Sequence, residues 1–341
     1  MLTTRQETIL KLMVDEYVTT ATPVASESIA RTPELAVSPA TVRKEMVELE
    51  EAGYIARPHT SAGTVPLDSA YRLYVESLVA IEMSRIPPSA QRSVLDELAD
   101  VERDVDDWAN AAAAVLSRLV GNMAITTFPR AVEPRVRHIE LVYLEDLVAM
   151  LIVVLEQARL RRQLIRWERP LAQSHLEAAS IKLRSQVLGL TRQEIENKPM
   201  ALSPLEEEVV DATTEILREE DHATYTDHRV HGLRNLLTQP EFAENDRLRA
   251  LLEGFEDGTL AEAVLNETPD GSVVRVIIGQ EHEGDILWPL SVVICQYGVP
   301  GRALGAVGAV GPTRMEYSKT IASVNFMSSV MSDIVSGAGI G

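Results

Sequence analysis

The chain has 341 residues and a mass of 37.5 kDa, with 51 acids against 32 bases and a formal net charge of −19. At about 100–200 residues per domain this length accommodates two or three domains, and 45% apolar residues exclude wholesale disorder. A single cysteine excludes a disulfide framework and a Cys-rich zinc module, and the acidic balance gives no compositional sign of nucleic-acid binding. No segment reaches the roughly 18 uninterrupted apolar residues of a membrane span, and the first residues lack the charged head and apolar body of a signal peptide. A cytoplasmic protein with no membrane partner is expected.

Thr4-x-x-Glu7 has the spacing of a capping box. Behind it Ile9, Leu10, Met13, Val14 and Tyr17 make one apolar stripe, which predicts a helix over 5–19. Ala21-Thr22-Pro23 interrupts it, and a short second helix is expected over 26–31. A third helix, 38–52, starts with Ser38 as N-cap and Pro39 at the first helical position, where its missing N–H costs nothing. Val42, Met46 and Leu49 line its inner side, and Gly53 stops it. Two short strands around a glycine-containing tip, 54–57 and 64–66, then predict a hairpin.

Pro87-Pro88-Ser89 marks a turn. Helical patterning runs over 90–119, with an acidic stretch at Asp96, Glu97, Asp100, Glu102, Asp104, Asp106 and Asp107 that reads as a solvated face. Strands are expected at 136–144, 147–155 and 159–167, then a helix at 175–188. Residues 191–284 are acidic and mostly helical, interrupted by Pro199, Pro204 and Pro240. Strand patterning returns at 273–278, 290–296 and 303–310, before a last helix over 314–335. Strands on both sides of a helical block imply an insertion. The predicted architecture is α+β and multidomain: residues 1–84, a discontinuous mixed α/β domain from 86–190 and 285–337, and 191–284 inserted within it.

Three short helices and a hairpin in residues 1–84 make the pattern of a winged helix-turn-helix. The third helix would enter the major groove and present Ser38, Ala40, Thr41, Arg43 and Lys44, with its N-terminal N–H groups suited to phosphate oxygens. The hairpin tip, Arg57-Pro58-His59-Thr60-Ser61-Ala62-Gly63, contains no acid. Yet residues 1–84 carry seven bases against twelve acids, so few counterions are released and a monomer binds weakly. Glu45, Glu48, Glu50 and Glu51 fall in the later turns of the third helix, which can tilt from the groove, and a dimer doubles the contacts. DNA binding and a protein-interaction module are both open on this pattern.

Other constellations are weaker. His222, His228 and His231 beside Asp221 and Asp227 read as a solvated helix face rather than a metal site. Arg159, Arg161, Arg162, Arg166 and Arg169 read as a strand edge or as partners for the acidic segments, rather than as a second phosphate surface. Gly298, Gly301, Gly305, Gly308 and Gly311 meet neither nucleotide signature and read as turns and close-packed strands. Cys295 reads as an inert buried thiol, and no nucleophile elbow surrounds Ser61. Neither catalysis nor a cofactor or metal is expected.

Several blocks carry a resemblance. They are Ser38-Pro39-Ala40-Thr41-Val42-Arg43-x-Glu45-Met46, Leu49-Glu50-Glu51-x-Gly53-Tyr54, Pro58-His59-Thr60-Ser61-Ala62-Gly63-x-Val65-Pro66 and Tyr71-Arg72-x-Tyr74-Val75. Downstream follow Gly232-Leu233-x-Asn235-Leu236-Leu237, Gln239-Pro240-Glu241-Phe242, Ile278-Gly279-x-Glu281 and Gly311-Pro312-Thr313-Arg314-Met315-x-Tyr317. In order over nearly the whole chain, they resemble the HrcA family of heat-inducible transcription repressors. The resemblance implies a winged-helix domain, a GAF-like domain and an inserted dimerisation domain. It also implies a homodimer on an inverted-repeat operator (the CIRCE element) upstream of chaperone operons, and support by a GroEL-type chaperonin that lapses under heat stress. Thr64 stands where the family usually has arginine, Lys44 where it has asparagine, and Ala25 and Ala70 where it has glycine. A regulator sensing a small molecule through the GAF-like domain is the alternative.

Overall fold

The computed structural model describes residues 2–33, 35, 37–59, 63–80, 86–99, 105–131, 133–156, 160–222, 227–242 and 245–337. They fall into two compact units: Met1–Thr127 with Asp227–Gln296 and Ala306–Val330, and Phe128–Thr226 with Tyr297–Gly305 and Met331–Gly341.

The first unit opens with α1 (Thr4–Thr20), capped one residue earlier than predicted. Thr3 and Gln6 close the capping box, since Thr3-x-x-Gln6 has the same spacing as Thr4-x-x-Glu7. The short α2 (Ser26–Ala30) and α3 (Pro39–Glu51) follow as expected, with Ser38 as N-cap and Gly53 at φ 76° beyond the end. Ile9, Leu10, Met13, Val14, Val42, Met46 and Leu49 are buried, so the helices meet on their predicted apolar sides. Strands β1 (Ile55–Ala56) and β2 (Val65–Pro66) pair antiparallel as the hairpin. An unforeseen helix α4 (Asp68–Ala80) comes next. The helical run expected over 90–119 is two elements, α5 (Pro88–Ala99) and α6 (Val105–Val120), and β3 (Met123–Thr127) follows, buried at every position.

The second unit holds β4 (Arg130–Ala131), β5 (Val136–Glu145), β6 (Val148–Leu155), β7 (Leu160–Arg166), α7 (Gln173–Val187), α8 (Arg192–Glu196) and α9 (Pro204–His222). Strands β5, β6 and β7 make an antiparallel sheet of their own. Its inner face, with Ile139, Leu141, Ala149, Leu151, Val153 and Ile165, shares a core with Leu176, Leu183 and Val187 of α7 and Val209, Ile216 and Leu217 of α9. The opposite face carries Val142, Leu144, Met150, Ile152, Leu160 and Leu164, none of them buried, together with His138, Glu140, Arg162 and Arg166. Strands β5–β7 do not join the later strands, and in sequence the stretch 128–226 lies between two stretches of the first unit.

The first unit resumes with β8 (His228–His231), α10 (Leu233–Leu237), α11 (Asn245–Glu256), α12 (Thr259–Asn266), β9 (Arg275–Ile278), β10 (Leu290–Val299), β11 (Ala303–Pro312) and α13 (Tyr317–Gly337). Its sheet has the order β8-β3-β11-β10-β9, with β8 antiparallel to β3, β3 to β11 and β10 to β9. Helix α6 packs on β3 and β8, and Ser328 of α13 lies 3.4 Å from the sulfur of Cys295, which is buried as expected. With both faces covered, β10 and β11 read as continuous apolar runs. Gly308 has a structural reason: a Cβ there would come within 3.0 Å of Ile294 and the Val293 carbonyl. Among the described residues no helix is long and apolar enough to cross a membrane.

Candidate nucleic-acid interface

Ser38 Oγ accepts the Thr41 N–H at 3.2 Å and lies 3.0 Å from Thr41 Oγ1. This cap, with Pro39, fixes the start of α3. With Val42, Met46 and Leu49 turned inward, Ser38, Ala40, Arg43 and Lys44 are exposed and Thr41 is half-buried. On the hairpin Arg57 and His59 are exposed, while Thr60 and Ser61 lie outside the described residues. Gly63 is required by a close approach. A Cβ there would stand 2.5 Å from the Val24 carbonyl and 2.6 Å from that of Pro23. Beside it Thr64 donates its N–H to Val24 O at 2.9 Å and accepts the Val24 N–H at 2.8 Å. The Thr64 side chain is buried, with Oγ1 3.3 Å from the same carbonyl. Position 64 is therefore a packing position here, not a surface one. Ala70, likewise, is fully buried.

Each base on this surface has a carboxylate beside it. Arg43 bonds Glu27 at 2.6 Å, Arg57 lies 3.4 Å from Glu50, and Lys44 lies 3.8 Å from Glu48. Glu27 is held below the usual carboxylate range, first by its own backbone N–H and then by the Ser26 hydroxyl and Arg43. Arg43, Arg57, Glu27, Gly63 and Thr64 line one cleft of about 370 Å³ between α2, α3 and the hairpin. Exposed pairs of this kind are weak, so a phosphate oxygen can take the carboxylate's place.

A second cluster, not foreseen as a site, involves the face of α4 formed by Asp68, Tyr71 and Arg72, which share it by their i, i+3, i+4 spacing. Arg72 Nε donates to Glu281 Oε1 at 2.7 Å, a second guanidinium nitrogen reaches Glu281 Oε2, and that nitrogen also donates to Val276 O at 2.7 Å. Asp68 Oδ2 accepts the Gln280 N–H at 3.0 Å. This approach runs over Gly279, at φ 53°, where a Cβ would stand 2.1 Å from the carboxylate. The Tyr71 and Tyr317 rings lie 5.9 Å apart at 49°, and burial pushes both phenols well above the ordinary tyrosine value. Arg314 donates to Val18 O at 2.9 Å, Glu241 Oε1 at 2.6 Å and Gln239 Oε1 at 3.0 Å. The available sequence signal was the set of blocks containing Tyr71-Arg72, Gln239-Pro240-Glu241, Gly279-x-Glu281 and Arg314.

The weaker constellations resolve differently. His228 and His231 lie on strand β8, not on a helix face, so their separation by three points them to opposite sides; His231 Nε2 lies 2.8 Å from Asn110 Oδ1. Among the described residues no three His, Cys, Asp or Glu side chains are placed to hold a metal. In the basic run, Arg161 bonds Glu220 of α9 at 2.5 Å, a pairing with an acidic segment, while Arg159 lies outside the described residues.

Residues 106–321 match the family model described as "HrcA protein C terminal domain". A protein of Dehalococcoides mccartyi named heat-inducible transcription repressor HrcA is 39% identical over 98% of this chain and 96% of its own. One of the same name from Roseiflexus castenholzii is 35% identical over 98% of this chain and 94% of its own. A crystal structure of a hypothetical protein covers 99% of both chains with a TM-score of 0.65 at 21% identity, a likeness of fold. Matched over most of its length by the family model and along nearly all of it by these relatives, the chain belongs to the HrcA family.

Proposed function

We propose that this protein is a cytoplasmic transcription repressor that binds, as a homodimer, an inverted-repeat operator upstream of heat-shock chaperone operons. The observation that carries the reading is the outward side of α3: a capped N-terminus with Ser38, Ala40, Arg43 and Lys44 exposed, beside a hairpin that presents Arg57 and His59. In this reading α1–α4 with β1 and β2 form a winged helix, α3 enters the major groove, and the hairpin lies over backbone or minor groove. The sheet of the first unit is the GAF-like domain. The inserted segment 128–226 supplies the dimer contact through the uncovered face of β5–β7, since a sheet face carrying Val142, Met150, Ile152 and Leu164 needs a partner. Repression then requires only occupancy of the promoter. Dependence on a GroEL-type chaperonin belongs to the same proposal and rests on the family resemblance.

A mobility-shift titration on the inverted repeat beside a scrambled duplex, at two salt concentrations, tests it. A preference of about a thousandfold or more is expected; equal, feeble binding to both duplexes would overturn the reading. Sedimentation of Ile152→Glu tests the dimer contact, with a folded monomer as the expected result and an unchanged dimer as the refutation.

A further inference from the structure

A two-fold operator is read at two half-sites whose separation is set by the pitch of the duplex. Two reading heads on loose tethers would accept many separations; two heads held rigidly accept one. Nothing in α3 or the hairpin decides between these cases. The face of α4 does.

Helix α4 packs on α1, and Tyr74 Oη donates to Asp15 at 2.5 Å, so it moves with the helices that present the reading surface. Its Asp68, Tyr71 and Arg72 engage the first unit's sheet region instead. Arg72 takes both oxygens of Glu281 and the Val276 carbonyl, and Asp68 takes the Gln280 N–H across a position that only glycine can fill. Two-pronged guanidinium–carboxylate pairs carry direction as well as energy. Arg314 ties the same region to the C-terminal turn of α1 through Val18 O, while Glu241 and Gln239 fix its guanidinium. Tyr71 and Tyr317 fill the space between, both buried.

We propose that Arg72 and Arg314 are positioning residues that clamp the reading head to the sheet region and thereby set the half-site spacing the dimer accepts. The inference rests on the operator-binding dimer proposed above. Neither arginine touches DNA in it. Removing the clamp leaves each head able to bind a half-site but releases its orientation, so the advantage of correct spacing is lost.

The test uses the full chain with Arg72→Gln and, as the nearly isosteric second variant, Glu281→Gln. Binding is titrated on a single half-site, on the inverted repeat, and on a repeat with about five extra base pairs between half-sites, which turns one away by half a helical turn. Wild type is expected to lose roughly a hundredfold on the stretched repeat, the gain from simultaneous engagement. Each variant is expected to match wild type on the half-site and to bind the two repeats within about threefold of each other. Nitroxide labels at Glu51→Cys on α3 and Glu262→Cys on α12 read the clamp without DNA, since both positions are exposed and the native Cys295 is buried. Their distance distribution should broaden in both variants. Variants that keep the wild-type spacing preference, or an unchanged label distance, overturn the proposal. So does tighter binding of the variants to the natural repeat, which would make the clamp inhibitory. A wild type that binds the repeat specifically yet ignores spacing defeats this inference alone; one that ignores the repeat altogether defeats the functional reading.

Discussion

Arg43 and Arg314 carry the same guanidinium to different ends. Arg43 has 65% of its side chain exposed and meets one carboxylate, that of Glu27. Arg314 has 12% exposed and meets a carboxylate, an amide oxygen and a backbone carbonyl. A cation in water trades one partner for another at little cost, so Arg43 can exchange Glu27 for a phosphate or a base edge. A desolvated cation with three acceptors cannot leave without stranding them. Exposure thus separates arginines available for recognition from arginines that hold the frame.

Substitutions sharpen this contrast. The largest effect on folding is expected for Arg314→Ala, which leaves Glu241 and the Val18 carbonyl short of a donor; denaturant unfolding should show a loss of roughly 2–3 kcal/mol, partial exposure keeping it below the fully buried case. Arg43→Ala should leave unfolding within about 0.5 kcal/mol of wild type while weakening operator binding by about 1–3 kcal/mol. A large loss of stability, or an unchanged mobility shift, would erase the distinction. Tyr317→Phe removes the hydroxyl that donates to Thr313 O at 2.7 Å and lies 2.8 Å from Ser291 Oγ, and should cost about 1 kcal/mol in the same unfolding assay.

A proton probes the inner region more gently. Burial pushes the pKa of His282 below the ordinary histidine value, outweighing the pull of Glu267. The fold thus favours the neutral ring. Its contribution is present above about pH 6.5 and is lost as the pH falls through that value toward the folded-state pKa. Melting curves between pH 8 and 5 should show this loss in wild type and a shallower slope in His282→Gln. The smallest expected effect is at the exposed pair: Glu27→Gln should tighten binding to operator and scrambled duplex alike, severalfold, because an acid leaves the surface proposed to face phosphate.

The N-terminal elements were legible because their signals are local. Ser38-Pro39 starts a helix and Gly53 ends one whatever lies around them, and the apolar spacing assigns the inner side. Helix α4 escapes the same reading because the partners that give Asp68, Tyr71 and Arg72 their meaning stand some two hundred residues away. Strand β8 reads His-Arg-Val-His, with a single apolar residue, and hydropathy is silent there. The grouping of strands into sheets is hidden for a related reason. The apolar strands of 136–166 and of 275–312 look alike in sequence, and hydropathy does not say which sheet a strand will join. At Thr64, where the family usually has arginine, only the pairing with Val24 shows the side chain facing inward.

The place of the inserted segment has a consequence in time. Strand β3 ends at Thr127, and one sheet neighbour, β8, begins about a hundred residues later at His228; the other, β11, begins at Ala303. At about 5–20 residues per second of synthesis, β3 waits roughly five to twenty seconds for the first partner and roughly ten to forty for the second. All five of its residues are destined for burial. Every newly made copy therefore passes through an interval in which an apolar strand lacks both of its sheet neighbours.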